Sequence, residues 1–129
     1  FSHEYVIPET SLEELARDMQ TRLKTRSMRL VGDPKLKVTK LAHAGHYIQQ
    51  CMQALPNVDV LIVFECREWE AAEYMRDAIA SGQKKALIQL PHEGGEEAGM
   101  EECARWLRTF VTEVPIGFIP SGDPFWMPA

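Results

Sequence analysis

The sequence predicts an α/β fold, a layered sandwich with a mainly parallel central sheet, and three observations carry that expectation. Strand-like and helix-like segments alternate from Lys37 to Ile119, the order that βαβ units require. Val58–Phe64 and Lys85–Leu90 are apolar runs without clear alternation, as strands buried on both faces read. The 129 residues, 45% hydrophobic and 26% charged, suit one domain, taken as residues 1–129, around a single core.

In chain order, Phe1 to Glu9 reads as an irregular lead-in. Thr10-Ser11-Leu12-Glu13-Glu14 offers two overlapping capping boxes, Thr10 with Glu13 and Ser11 with Glu14. Leu12, Leu15, Ala16, Met19 and Leu23 follow at helical spacing, so a first helix is expected to about Thr25. Ser27 to Val31 reads as a short strand, and Gly32-Asp33-Pro34 as a turn. Lys37 to Ala42 is a weakly alternating strand broken by Gly45, after which His46 to Leu55 forms a short helix ended by Pro56-Asn57. The strand Val58–Phe64 leads to a helix over Glu68–Ala80 with Trp69, Ala72, Met75 and Ile79 on one side, stopped at Gly82. After the strand ending at Leu90, a long helix is expected over Glu97–Thr112, with Met100, Cys103, Ala104, Leu107 and Phe110 inward. A last strand is expected at Ile116–Ile119, before the closing Gly122-Asp123-Pro124-Phe125-Trp126.

Composition excludes several function classes. A net charge of -5 and a pI near 5.4 leave no uncompensated basic stripe for a phosphate backbone. Lys35 and Lys37 read as a solvated strand face, and Lys84-Lys85 is too short a run to make a patch. No apolar run reaches the ~20 residues of a membrane helix, and no signal-peptide pattern opens the chain at Phe1. The expectation is therefore no nucleic-acid partner, no membrane and a cytoplasmic location. Cys51, Cys66 and Cys103 are widely spaced and form no CxxC pair, so neither a disulfide framework nor a zinc ribbon is implied.

The densest chemistry lies in Pro91-His92-Glu93-Gly94-Gly95-Glu96, just past the carboxyl end of an apolar strand. Open α/β sheets place ligands in that crevice. His92 and Glu96 can share one divalent ion or act as an acid/base pair; alternatively Glu96 or Glu97 caps a helix beside a solvated His92. In a parallel sheet the loops His43–His46, Glu65–Glu68 and His92–Glu96 gather at one edge. His43 and His46 could add nitrogens to such a site, or could be a strand residue and a helix cap. Cys66 beside Glu65 could be a nucleophile or thiolate ligand, or a buried inert thiol. Trp69, Trp106 and Trp126 read as packing or oligomer contacts.

Taken together, the motif order resembles the carboxyl-terminal half of the NIF-three-like proteins, the dinuclear-metal-centre hexameric family labelled GTP cyclohydrolase I type 2 homologues. The residues that carry the likeness are Ser11-Leu12-Glu13-Glu14-Leu15, Val31-Gly32-Asp33-Pro34 with Lys37-Val38, and Asp59-Val60-Leu61-Ile62 with Glu65 at the acidic position. His92 and Glu96 match the family's late H-x-x-x-E, and Ala104-Arg105-Trp106-Leu107 its following helix. The resemblance implies that His92 and Glu96 are metal ligands, for zinc, iron or manganese. It also implies a homo-oligomer. The family's His-His pair and aspartate belong to an amino-terminal half that this chain does not contain, and its two loop motifs are altered here. Two ligands cannot hold a dinuclear centre. Two functional expectations follow: a partial or degenerate site, with metal weakly bound or absent, in an assembly or regulatory domain; or the lobe of a metal-dependent hydrolase completed by an amino-terminal half. In the second, Glu65 or Glu96 moves protons near a metal-activated water.

Overall fold

The computed structural model describes residues 3–129. A five-stranded sheet carries the fold, with strands β1 (His3–Ser11), β2 (Arg29–Val31), β3 (Lys37–His43), β4 (Val60–Phe64) and β5 (Ala86–Leu90) in the order β1-β3-β4-β5-β2. The central three are parallel, while β1 and β2 lie antiparallel on the two edges. Helices α1 (Leu12–Leu23), α2 (Ile48–Ala54), α3 (Glu73–Ala80) and α4 (His92–Leu107) complete the fold. The mainly parallel centre expected from β4 and β5 is present. Every residue of β5 and four of the five in β4 are buried.

Two apolar clusters flank the sheet. One joins Leu61, Val63 and Leu87 to Cys51, Ala54 and Met75 of α2 and α3. The other joins Val38, Val60, Ile62 and Ile88 to Leu12, with Leu15 and Met19 of α1 packed against it. Strand residues alternate between the clusters, the period of two that a pleated strand imposes. Of the two capping boxes, Ser11 with Glu14 is the one formed: Ser11 Oγ accepts from Glu14 N at 3.2 Å, and the Glu14 carboxylate accepts from Ser11 N at 3.2 Å. Asp59 plays a similar part for β3. Its carboxylate accepts from the Thr39 and Lys40 amides at 2.8 and 2.9 Å. Burial pushes that carboxyl up, and these bonds with nearby Lys85 bring it below its ordinary range.

Four sequence expectations are corrected. The lead-in described from His3 is a strand, not irregular coil; it is mostly exposed and none of its residues is buried, so no apolar run marks it, and its register shifts between Val6 and Thr10 around Pro8. Ile116–Ile119 is not a strand. β5 is already flanked by β4 and β2, so it has no free edge to offer. The last helix begins at His92 and ends at Leu107, with Met100 and Phe110 exposed instead of inward. Trp69 is also exposed, on a π-helical turn (Glu68–Ala72) that precedes α3.

Candidate functional site

β4 and β5 are parallel and adjacent, so their carboxyl ends deliver Glu65 and His92 to the same crevice. Glu65 N donates to Leu90 O at 3.0 Å and ties the two strand ends together. Glu65 has a backbone φ of 45°, a left-handed conformation uncommon for a residue with a Cβ. Pro91 then turns the chain into α4 with no side-chain cap on the helix start.

The two glycines after Glu93 lie inside the helix, not in a loop. Gly94 is buried, and a Cβ on Gly95 would overlap the Phe64 ring. The bareness of Gly95 lets the first turns of α4 sit directly on the end of β4. His92 is then held between two carboxylates. Its Nδ1 lies 2.7 Å from Glu65 Oε2, and its Nε2 lies 3.1 Å from Glu96 Oε1, one helical turn on. The Glu65 approach lies off the ring's N–H direction, since Nδ1 has no hydrogen-bond partner; it is a close polar contact, not a linear hydrogen bond. The expectation that Glu96 or Glu97 caps the helix beside a loop histidine is not met: His92 is itself the first helical residue.

The His46 ring stacks on His92 with centroids 5.2 Å apart and planes 11° from parallel. Its Nδ1 lies 2.5 Å from the Phe64 carbonyl, which can only accept, so that nitrogen carries the hydrogen. His43 turns toward the Phe64 ring, 4.6 Å away, and its Nε2 is buried without a partner among the described residues. Burial first, and then His3 and His46, hold the His43 imidazole below its ordinary pKa. His43, His46, Glu65 and His92 do meet at one edge, although His92–Glu96 is helix and not the expected loop.

The donors do not converge on one point. Glu65 and Glu96 stand at opposite nitrogens of the same imidazole, so an ion at either nitrogen meets one carboxylate. Among the described residues, no three His, Cys, Asp or Glu side chains are disposed to hold a metal ion. A resident metal centre therefore does not fit the described residues by themselves. Cys66 is buried, and burial pushes its thiol up despite nearby Arg29, which suits an inert thiol better than a nucleophile.

Beside His92 and Glu65 opens a crevice of about 680 Å³, floored by Cys66 and Gln89 and walled by Phe125 and Trp126. Sequence reasoning missed its polar floor and its aromatic wall. The available signal for the floor was Gln89, the one polar residue within the β5 run Ala86–Leu90. The wall depends on Asp123. Its Oδ2 accepts from Arg26 N at 2.8 Å, from Ser27 N and Oγ at 2.9 Å, and from Thr25 Oγ1 at 3.1 Å. Nothing local in Gly122-Asp123-Pro124 announces a partner almost a hundred residues away.

No protein-family model matches this sequence, and no curated protein matches it. Solved structures do. A hypothetical protein of Staphylococcus aureus, SA1388, superimposes with a TM-score of 0.67 at 22% identity, over 98% of this chain and 43% of that one. A Bacillus cereus protein related to NIF3 gives 0.67 at 19% identity, over 96% and 35%. The protein ybgI, of unknown function, gives 0.70 at 22% identity, over 96% and 48%. The fold is thus that of NIF3-like structures, as the motif order implies. This chain spans less than half the length of each. Among the described residues no helix is long and apolar enough to cross a membrane.

Proposed function

We propose that this chain is a NIF3-like domain that keeps a two-donor divalent-metal half-site, His92 with Glu96, and serves as an assembly or regulatory domain. The bracketing of His92 by Glu65 and Glu96 on opposite nitrogens supports this reading, because it leaves any ion at Nε2 with one nitrogen and one oxygen. Protein zinc sites take about three or four protein donors, so two give weak, readily reversed binding. His43 and His46 are poor candidates to fill the gap, since one faces the Phe64 ring and the other is tied to the Phe64 carbonyl. The two clusters on opposite sheet faces fit a layered sandwich. Three free cysteines fit a reducing, cytoplasmic setting. Self-association fits the exposed Trp106, Phe110 and Trp126; a strict monomer mass by light scattering at high concentration would remove it.

A second reading, a lobe of a metal-dependent hydrolase, is favoured by one observation. Glu65 holds a left-handed backbone, and such conformations cluster at active sites. The amino-terminal half would then supply the missing donors. The deciding experiment titrates Mn²⁺ and Zn²⁺ into the chain and assays a phosphodiester such as bis-p-nitrophenyl phosphate. Weak binding lost in His92→Ala, without turnover by the chain or by a longer protein that includes an amino-terminal half, supports the first reading. Turnover abolished by Glu65→Gln supports the second.

A further inference from the structure

The crevice beside the half-site offers hydrogen-bond acceptors without partners among the described residues. Three of its donor-bearing side chains are engaged: Arg29 pairs with Glu68, Ser27 Oγ donates to Asp123 at 2.9 Å, and Gln89 Nε2 donates to Cys66 O at 3.3 Å. Its acceptors are not. Glu93 Oε1 is buried with no partner among the described residues. Gln89, only 6% exposed, accepts no hydrogen bond from them at its carbonyl oxygen. Glu65 has a second oxygen beyond the one facing His92. A buried acceptor without a donor costs about 1–3 kcal/mol, so the complementary ligand brings donors.

The opposite wall is aromatic. Phe125 and Trp126 are 59% and 72% exposed yet line the crevice, held there by the Asp123 anchor and by Phe125 N donating to Asp123 Oδ1 at 3.0 Å. Large aromatic surfaces left bare beside the Glu65 and Glu93 carboxylates suit a flat cation, which stacks on the rings while its N–H groups reach the oxygens. The volume of about 680 Å³ lies within the range of small-molecule sites, about 300–1,000 Å³.

We infer that this crevice binds a flat, cationic aromatic ligand, an aryl amidine or amino-substituted heterocycle, between the Phe125–Trp126 wall and the acceptors of Glu93, Gln89 and Glu65. The inference stands apart from the metal reading, since Glu93, Gln89 and Trp126 are not in the half-site.

Benzamidine, benzamide and benzoate test it, being nearly the same shape with positive, zero and negative charge. Their binding to the chain is followed by saturation-transfer NMR with EDTA present, which removes any contribution from metal. Benzamidine is expected to bind saturably, benzamide about tenfold more weakly and benzoate not at all. Glu93→Gln and Trp126→Ala should each weaken benzamidine about tenfold while Trp106→Ala leaves it unchanged, each variant first shown to melt cooperatively. Equal binding of the three probes, preference for benzoate, no benzamidine binding, or benzamidine affinity untouched by Glu93→Gln and Trp126→Ala would each overturn the inference.

Discussion

Gly95 lies so close to Phe64 that a Cβ at that position would overlap the aromatic ring. This contact sets the height of α4 on the end of β4, and through it the distance from His92 to Glu65. Gly95→Ala removes a flexible residue from a helix interior, a gain of at most about 1 kcal/mol. Overpacking costs typically about 1–3 kcal/mol. The overlap wins because the atoms met include Cγ at the base of the ring, which cannot swing aside. A net loss of stability is expected in urea unfolding, with a changed His92 environment by NMR. A stabilised variant with unshifted His92 resonances would show that α4 does not need this approach.

The legibility of the fold followed burial. β4 and β5 were readable because both faces are covered, which leaves an apolar run in the sequence. β1 was not, because an exposed antiparallel edge strand needs no apolar period, and α4 was misplaced because Gly94 and Gly95 read as loop residues. Gly95 in fact packs against Phe64, about thirty residues away, and Gly94 against Pro91. His92, Glu65 and Glu96 were legible as neighbours from strand order alone. The opposition of the two carboxylates across the ring was not, since it depends on side-chain direction.

Ile88 is fully buried at the centre of the sheet. Ile88→Asp places a charge there without a partner, and the loss should exceed about 4 kcal/mol. Circular dichroism should show no cooperative melt. A retained transition would contradict the position of β5.

Asp123 anchors the aromatic tail, and its titration should be visible. Burial pushes the carboxyl up, but the amides of Arg26 and Phe125 and both groups of Ser27 hold it down to about 2. An unfolded Asp titrates near about 3.9. Because the folded pKa is the lower one, its contribution is fully present above pH ~4 and is lost as pH falls from there through about 2. Asp123→Asn should lack that acid-side loss and be less stable at neutral pH by about 1–2 kcal/mol. Identical urea midpoints for the two proteins from pH 5 to pH 2 would refute the anchor.

The thiols should separate by burial. Burial pushes Cys51 up to about 11 and raises Cys66 as well, and both are buried while Cys103 is half-exposed. Native protein should react with a disulfide reagent such as DTNB at one thiol, Cys103, and at all three only when unfolded. Rapid modification of Cys66 in folded protein would return it to the list of reactive groups.

The central claim is that His92 and Glu96 form a two-donor half-site. Metal analysis of the purified chain before and after dialysis against EDTA, followed by Zn²⁺ titration at rising pH, tests it most directly. The expected result is substoichiometric metal that EDTA removes, and weak binding that strengthens as the imidazole loses its proton. His92→Ala should abolish that binding while changing stability by less than about 1 kcal/mol. One equivalent or more of chelator-resistant metal would contradict the account, because it would require donors that the described residues do not bring together.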